Sequence, residues 1–144
     1  MNKFSAELEE LLKQGIVKLP GEAKFEYEKF KAFRGIKIEG DQYKISKKDF
    51  VPTNVGFRQR GATRKNIFSY STSLYLSEIN LYKNFNMSSP KKTAAYGYVC
   101  ELGGPHMIEE SGHVHWWIYD YYDDFSSFEI RKRREEWIEW NALK

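Results

Sequence analysis

The residues whose types suggest chemistry form three groups along the chain. Arg34 lies in a strand-like segment, and its guanidinium offers paired donors that fit phosphate oxygens. Ser71-Thr72-Ser73 lies in an aromatic and hydroxyl-rich stretch, where small hydroxyls can both donate and accept hydrogen bonds. Glu129 lies in a late strand-like segment. An arginine, a hydroxyl strand and a late carboxylate, in this order, suggest a site that handles a nucleotide.

The alternation of apolar and polar residues predicts the strands that position these groups. Arg34 falls in a strand over Phe33–Ile38 that ends at a turn. Ile67–Thr72 is β-like, and Ser73 is expected to cap a helix that runs toward Phe85. The later strands are predicted over Ala94–Leu102, Val114–Tyr122 and Ser126–Arg131.

Two amphipathic segments precede these strands and predict N-terminal helices. Ser5 is a candidate N-cap for a helix over Ser5–Gln14, which Gly15 ends. Glu22–Lys31 places its apolar residues on one face and predicts a second helix. The remaining segments predict a short strand over Gln42–Ile45, a loop over Ser46–Asn66 and a last strand within Glu135–Leu143.

Together these elements predict an α+β fold, in which two N-terminal helices precede a mainly antiparallel β domain. The 144 residues are expected to form a single domain over 1–144. Residues 1–31 are its helical part, and residues 32–144 are the β-rich part that would carry the site.

Composition narrows the class of protein. The net charge is +3, from 23 Lys and Arg against 20 Asp and Glu, which does not produce the strong positive field typical of nucleic-acid binding. Aromatic residues make up 17% of the chain, a share that favours a folded protein over a disordered one. The single Cys100 cannot form an internal disulfide and fits a reducing compartment. No signal peptide and no run long enough to span a bilayer is visible, so a cytoplasmic location, in the producing or a target cell, is expected.

The order of Arg34, Ser71-Thr72-Ser73, the strand Tyr96–Leu102 and Glu129 resembles the mono-ADP-ribosyltransferase family. The similarity is to its Arg, Ser-Thr-Ser and Glu branch, which includes cholera-like and pertussis-like toxins. The resemblance implies a split β-sandwich, NAD as substrate and cleavage of the bond between nicotinamide and ribose. The ADP-ribose would pass to a macromolecular target, or to water as in NAD glycohydrolases. A chain this small would suit a toxin, an effector or a phage-encoded modifier of a host protein.

The resemblance implies a role for each matched residue. Arg34 would bind the NAD phosphates, and Ser71 would orient the ribose and the glutamate, with Thr72 and Ser73 completing the NAD-binding motif. Glu129 would be the catalytic carboxylate, which stabilises positive charge on the ribose as nicotinamide leaves and contributes on the order of 3 kcal/mol. Arg34, Ser71 and Glu129 are then expected to converge on one cleft.

The late segment leaves alternatives open. Glu135, Glu136 and Glu139 follow Glu129, which is preferred because its segment is strand-like and leaves room for one closing strand. Arginine-modifying family members have Glu or Gln two residues before the catalytic glutamate, whereas this chain has Ser127. Arginine is therefore not assigned as the acceptor, and another acceptor, NAD hydrolysis or loss of activity all remain open.

A metal site is a separate alternative. His113 and His115 lie on one face of a predicted strand at a spacing that can ligate zinc, with Glu109, Glu110 or Asp120 as a third ligand. No second pair of His or Cys residues supports a metal, and the adjoining tryptophans favour a packed sheet. The sequence therefore assigns no metal ligand, and His106 is expected to be structural.

A non-enzymatic alternative rests on aromatic and basic residues, which could form a surface for a protein partner or, with less support, for a nucleic acid. The aromatic run contains Trp116, Trp117, Tyr119, Tyr121, Tyr122 and Phe125. The basic residues are Arg58, Arg60, Arg64, Lys65 and the run Arg131, Lys132, Arg133 and Arg134. Each group also has a structural explanation, as core aromatics or solvated charges.

Overall fold

The computed structural model describes residues 3–38, 43–52, 66–85 and 91–131. These residues form helices α1 (Ala6–Lys13) and α2 (Glu78–Asn84) and six strands. The strands are β1 (Phe30–Lys37), β2 (Thr72–Tyr75), β3 (Lys92–Val99), β4 (His106–Ile108), β5 (His113–Trp116) and β6 (Glu129–Arg131). Short 3-10 helices lie at Lys47–Phe50, Ile67–Tyr70 and Glu101–Gly103. The fold is α+β, as the sequence predicts.

The six strands form one antiparallel sheet in the order β4-β5-β2-β1-β3-β6. β1 and β3 pair along their full lengths, from Phe30 with Val99 to Lys37 with Lys92. β1 and β2 share a single paired position, which joins Phe33 to Tyr75. The sheet is therefore tightly paired on one side of β1 and loosely paired on the other, where side chains can bridge the strands.

Each face of the sheet packs against different apolar residues. α2 covers part of one face through Leu81 and Tyr82, which cluster with Phe33. α1 packs through Leu8 into a second cluster that contains Trp117. The main core contains the buried residues Ala32, Ile36, Phe50, Leu74, Ala95, Val99, Val114, Trp116, Phe125 and Phe128.

The first predicted helix is confirmed. The Ser5 hydroxyl accepts a hydrogen bond from the Leu8 backbone N–H at 3.3 Å, so Ser5 is the N-cap of α1. Gly15 follows the helix with φ of +72°, in the left-handed conformation that glycine adopts without strain. No helix within the described ranges is both long and apolar enough to cross a membrane.

The second predicted helix, over Glu22–Lys31, is wrong, and its last residues belong to β1. Lys24 instead forms a β-bridge with His106, through backbone hydrogen bonds of 2.8 and 3.1 Å. The Tyr27 hydroxyl donates to the Gly104 carbonyl at 2.6 Å. These long-range contacts override the helical pattern, because backbone groups that pair with a distant strand cannot also pair within a helix.

Several other boundaries differ from the predicted ones. Residues 43–45 are not in a strand, and the β-like segment before Ser71 is a 3-10 helix. The strand begins at Thr72 and continues past Ser73, so α2 starts later and its N-cap is Ser77. A Ser-Thr-Ser run satisfies both strand and cap preferences, and pairing with β5 selects the strand.

The later strands are shorter than predicted, and β4 was not predicted at all. β3 ends at Val99, β5 ends at Trp116, and β6 includes only the last three residues of its predicted segment. β4 has three residues, too few for an alternating pattern to be recognised. The predicted last strand within Glu135–Leu143 lies outside the described residues.

His106 is a structural histidine within this packing, in agreement with the sequence. It is 5% exposed, and its ring centroid lies 4.0 Å from that of Tyr27 and 4.8 Å from that of Phe30. Its Nδ1 makes no hydrogen bond with the described residues. Burial, with the nearby charge of Lys24, lowers the pKa of His106 to about 4.

We expect acid to destabilise the protein through His106. Between pH 6.5 and pH 4 the unfolded chain binds a proton at this imidazole and the folded chain does not, so stability is greatest above pH 6.5 and falls as the pH is lowered. Over this pH range the unfavourable protonation of His106 lowers the free energy of unfolding by about 3 kcal/mol. Urea unfolding at a series of pH values should show that the free energy of unfolding falls less steeply with decreasing pH in His106→Leu than in the wild type. An NMR titration of wild-type His106 with a midpoint near pH 6.5 would contradict this prediction.

Candidate metal centre

Arg34 does not face an open cleft. Its guanidinium donates to three backbone carbonyls: those of Asp49 at 3.0 Å, Ser73 at 2.9 Å and Val51 at 3.4 Å. It thereby bridges β1 to β2 and to the segment around the 3-10 helix Lys47–Phe50. Burial lowers the pKa of Arg34 to about 10, so the side chain remains cationic at neutral pH. This arrangement is a structural use of the guanidinium.

The three hydroxyls of Ser71-Thr72-Ser73 point to alternating faces of the sheet. Thr72 Oγ1 donates to the Phe50 carbonyl at 2.5 Å, in the main core. Ser71 Oγ lies 3.2 Å from His115 Nδ1, and Ser73 Oγ lies 3.0 Å from His113 Nε2, both on the other face. The two serines therefore contact imidazoles.

Glu129 lies in β6, an edge strand of the sheet, whereas Ser73 lies in β2 and Ser71 directly precedes that strand. β1 and β3 separate β2 from β6, and neighbouring strands are about 4.8 Å apart, so about 14 Å lies between β2 and β6. The Ser127 hydroxyl accepts a hydrogen bond from the Tyr98 N–H at 3.0 Å. The structure does not bring Arg34, Ser71 and Glu129 together. The other candidate carboxylates, Glu135, Glu136 and Glu139, lie outside the described residues.

The side chains that do converge are Glu109, His113 and His115, whose ligand atoms all lie within 4.8 Å of one another. Glu109 lies in the turn between β4 and β5, where Gly112 adopts φ of +91° and its N–H donates to the Glu109 carbonyl. His113 and His115 are two residues apart in β5 and therefore share a face. The hairpin thus returns a carboxylate to two imidazoles.

Both imidazoles approach the same carboxylate oxygen. Glu109 Oε2 lies 3.0 Å from His113 Nδ1 and 3.2 Å from His115 Nε2. The side chain of His115 is 8% exposed and that of Glu109 is 46% exposed. One side of the cluster is thus buried in the sheet, and the carboxylate side is open to solvent.

The serines determine which nitrogen of His115 carries its proton. Ser71 Oγ donates its own proton to the Phe68 carbonyl at 2.9 Å, so it can only accept from His115 Nδ1–H. The Nε2 atom of neutral His115 then carries a lone pair. This atom is buried, accepts no hydrogen bond from the described residues and points at the Glu109 carboxylate. Two electron-rich atoms thus face each other across 3.2 Å, an arrangement that a cation between them would stabilise.

Protonation does not readily supply that cation at neutral pH. Burial lowers the pKa of His113, the neighbouring His115 lowers it further, and Glu109 opposes both effects. Burial likewise lowers the pKa of His115 against the opposing effect of Glu109. The imidazoles are therefore mainly neutral at pH 7, which is the form that binds metal ions.

Aromatic rings hold the two imidazoles in place. Tyr75 stacks on His113 with ring centroids 4.9 Å apart, and Phe68 lies 4.7 Å from His115. The rings of His113 and His115 are 4.1 Å apart. Packing and hydroxyl contacts together hold both rings in place.

The remaining candidate residues do not join this cluster. Glu110 and Asp120, the other suggested third ligands, are exposed and outside it. Trp116 and Trp117 are fully buried, whereas Tyr121 is 60% exposed, so the aromatic run mainly contributes to the core. Arg131 pairs with Glu78 at 3.4 Å. The basic residues 58, 60, 64, 65 and 132–134 lie outside the described part of the chain.

Comparisons of this chain with protein-family models, curated proteins and solved structures found no match. The roles in NAD binding that the resemblance assigns to Arg34, Ser71 and Glu129 stay predictions, and the positions of these residues do not support them. The function is therefore argued from the cluster.

The sequence indicates the members of this cluster separately but does not show that they lie together. His113 and His115 were recognised as a same-face pair, and Glu109 was one of three candidate ligands. The pairing of Ser71 and Ser73 with the imidazoles was missed. Both pairs have the two-residue spacing of one strand face, but only the pairing of β2 with β5 brings them together.

We expect Arg34→Met to destabilise the fold by about 3 kcal/mol, because three carbonyls lose a charged donor. Arg34→Lys should recover less than half of this loss, since one ammonium cannot reproduce the planar set of donors. The free energy of urea unfolding at pH 7 measures both effects. Arg131→Met is the control, with an expected loss of about 1 kcal/mol or less. Equal losses for Arg34→Met and Arg131→Met would exclude a bridging role for Arg34.

Proposed function

We propose that this protein binds one divalent transition-metal ion through Glu109, His113 and His115, and that the bound ion activates water for hydrolysis. The observation that carries the proposal is the convergence of His113 Nδ1 and the buried Nε2 of His115 on one carboxylate oxygen of Glu109. An ion in this position would pair all three ligand atoms at once.

The donor set fits zinc. Two imidazole nitrogens and one carboxylate oxygen form a common catalytic zinc set, in which water takes the fourth position. Ligand atoms of a tetrahedral zinc ion lie about 3.3 Å apart, close to the 3.0 and 3.2 Å from Glu109 Oε2 to the two imidazoles. Two histidines and a carboxylate also suit iron(II), so the metal titration must include both ions.

An open coordination position determines the chemistry. The described residues supply three ligands, and Glu109 is nearly half exposed, so water can reach the ion on that side. A divalent ion lowers the pKa of its bound water toward neutrality and so supplies hydroxide for attack on an ester, amide or phosphate. Ser71 and Ser73 would act as outer partners that orient the imidazoles.

NAD-dependent ADP-ribosyl transfer, and the split β-sandwich that accompanies it, stay predictions from the resemblance. ADP-ribosyl transfer would require Glu129, whereas the metal proposal requires Glu109. Nicotinamide release from labelled NAD, measured for the wild type and for Glu129→Ala, separates the two. Release that depends on Glu129 and persists in a chelator would favour the transferase.

The metal-free protein should bind one Zn²⁺ per chain in a calorimetric titration, with a rise in melting temperature. Glu109→Gln should weaken binding by more than the ten- to hundredfold typical of losing an outer partner, about two orders of magnitude or more. Because Glu109 is nearly half exposed, this variant should still fold. Glu110→Gln is the matched control, since Glu110 is the next residue and lies outside the cluster.

Equal affinity for zinc in Glu109→Gln and Glu110→Gln would overturn the proposal. Replacement of zinc by Co²⁺ then tests the open position. Addition of azide should change the visible spectrum of the cobalt protein if water occupies a coordination site. An unchanged spectrum would indicate a closed, structural site and exclude hydrolysis at this ion.

The serines have a prediction of their own. Ser71→Ala removes the acceptor that fixes His115 Nδ1–H, so zinc affinity should fall about ten- to hundredfold. Thr72→Val is the control, because the Thr72 hydroxyl points to the opposite face and bonds to Phe50. Thr72→Val should lower the free energy of unfolding without changing the zinc affinity of the folded protein. An unchanged zinc affinity in Ser71→Ala would show that Ser71 does not orient His115.

A further inference from the structure

A cavity of about 310 Å³ lies between the main core and the α1 cluster, and none of the three proposed metal ligands lines it. Its wall is largely apolar, with buried side chains from both clusters. The apolar lining residues are Phe4, Leu8, Phe50, Val51, Pro52, Tyr70, Ile118, Tyr119 and Phe125. The cavity opens to solvent on the side of Glu7 and Asp120, and its volume falls within the range of small-molecule sites.

Three charged side chains join this apolar wall. Lys47 is half-buried and donates to the Asp120 backbone carbonyl, whereas Glu7 and Asp120 are exposed. No ion pair joins Lys47, Glu7 or Asp120 to another side chain in the described part of the protein. The cavity therefore combines an apolar interior with one cation and two anions that form no ion pair with a described side chain.

We propose that this cavity binds a small zwitterion with an aromatic body, of the class of free aromatic α-amino acids. The carboxylate of the ligand would pair with Lys47 and its ammonium with Asp120 or Glu7. Its ring would pack among Phe50, Tyr119 and the other apolar lining residues.

The pattern of charge selects this class over simpler ligands. A ligand with only an anionic group would meet two carboxylates of like charge. A ligand with only a cationic group would meet the like charge of the Lys47 ammonium. A neutral apolar ligand would partly desolvate all three charges and pair none of them, which is unfavourable.

Calorimetric titration with L-phenylalanine tests this proposal. A chelator is present throughout, so that the amino acid cannot bind through a metal ion. L-Phenylalanine should bind and raise the melting temperature. 3-Phenylpropionate and phenethylamine each lack one of its two charges and should bind at least about tenfold more weakly. Equal binding by either analogue would overturn the zwitterion proposal, as would no binding of L-phenylalanine, L-tyrosine or L-tryptophan.

Three variants locate the site. Lys47→Gln should weaken the binding of L-phenylalanine about tenfold without weakening the binding of phenethylamine. Lys48 lies outside the cavity lining, so Lys48→Gln should change neither affinity. Val51→Phe should fill part of the cavity and block binding, while its backbone carbonyl still accepts from Arg34. Binding that survives both Lys47→Gln and Val51→Phe would place the ligand elsewhere and refute the proposal. These results are independent of zinc affinity, so the two proposals can fail separately.

Discussion

The burial of the Arg34 guanidinium among backbone carbonyls is the interaction on which much of the structure depends. β1 and β2 share only one paired position, so the sheet would be weakly joined there without a side chain to bridge it. Arg34 donates to β2 at Ser73 and to the segment around Asp49 and Val51. Burying a cation is unfavourable, and several well-aligned carbonyl acceptors offset that cost. Both candidate sites are linked to this bridge, because Ser73 in β2 contacts His113 of the candidate metal centre and Val51 lines the cavity.

The cluster of Glu109, His113 and His115 shows how a sheet can convert two simple spacings into one arrangement. Ser71 and Ser73 approach the second nitrogens of His115 and His113, leaving the other nitrogens directed at Glu109. Each hydroxyl lies at hydrogen-bond distance from a ring nitrogen, and neighbouring aromatic rings pack against both imidazoles. The same residues that suggested a nucleotide site on sequence order thus form the outer partners of an imidazole pair. Their hydrogen-bonding chemistry was recognised correctly, and their partners were not.

Local signals predicted the elements that depend on local physics. α1 has its serine cap and glycine end, and the strand around Arg34 has a clear alternation, so both are present. The predicted helix over Glu22–Lys31 failed because bridging to His106 and the hydrogen bond from Tyr27 to Gly104 join residues far apart in sequence. Ser73 was assigned to a helix cap for a similar reason, since pairing with β5 decided between two local preferences.

The sequence by itself determined the α+β class, the first helix, the same-face spacing of His113 and His115, and the chemical capacity of each polar residue. Those properties follow from backbone periodicity and side-chain type, which are local. Tertiary structure alone decided that Arg34 faces carbonyls, that the serines face imidazoles and that Glu109 closes the cluster. Strand order and register join residues that are far apart in sequence, 39 positions between Arg34 and Ser73 and 40 between Ser73 and His113, and no local pattern encodes that pairing. Glu109 joins the cluster because the hairpin of β4 and β5 turns its carboxylate back to His113 and His115.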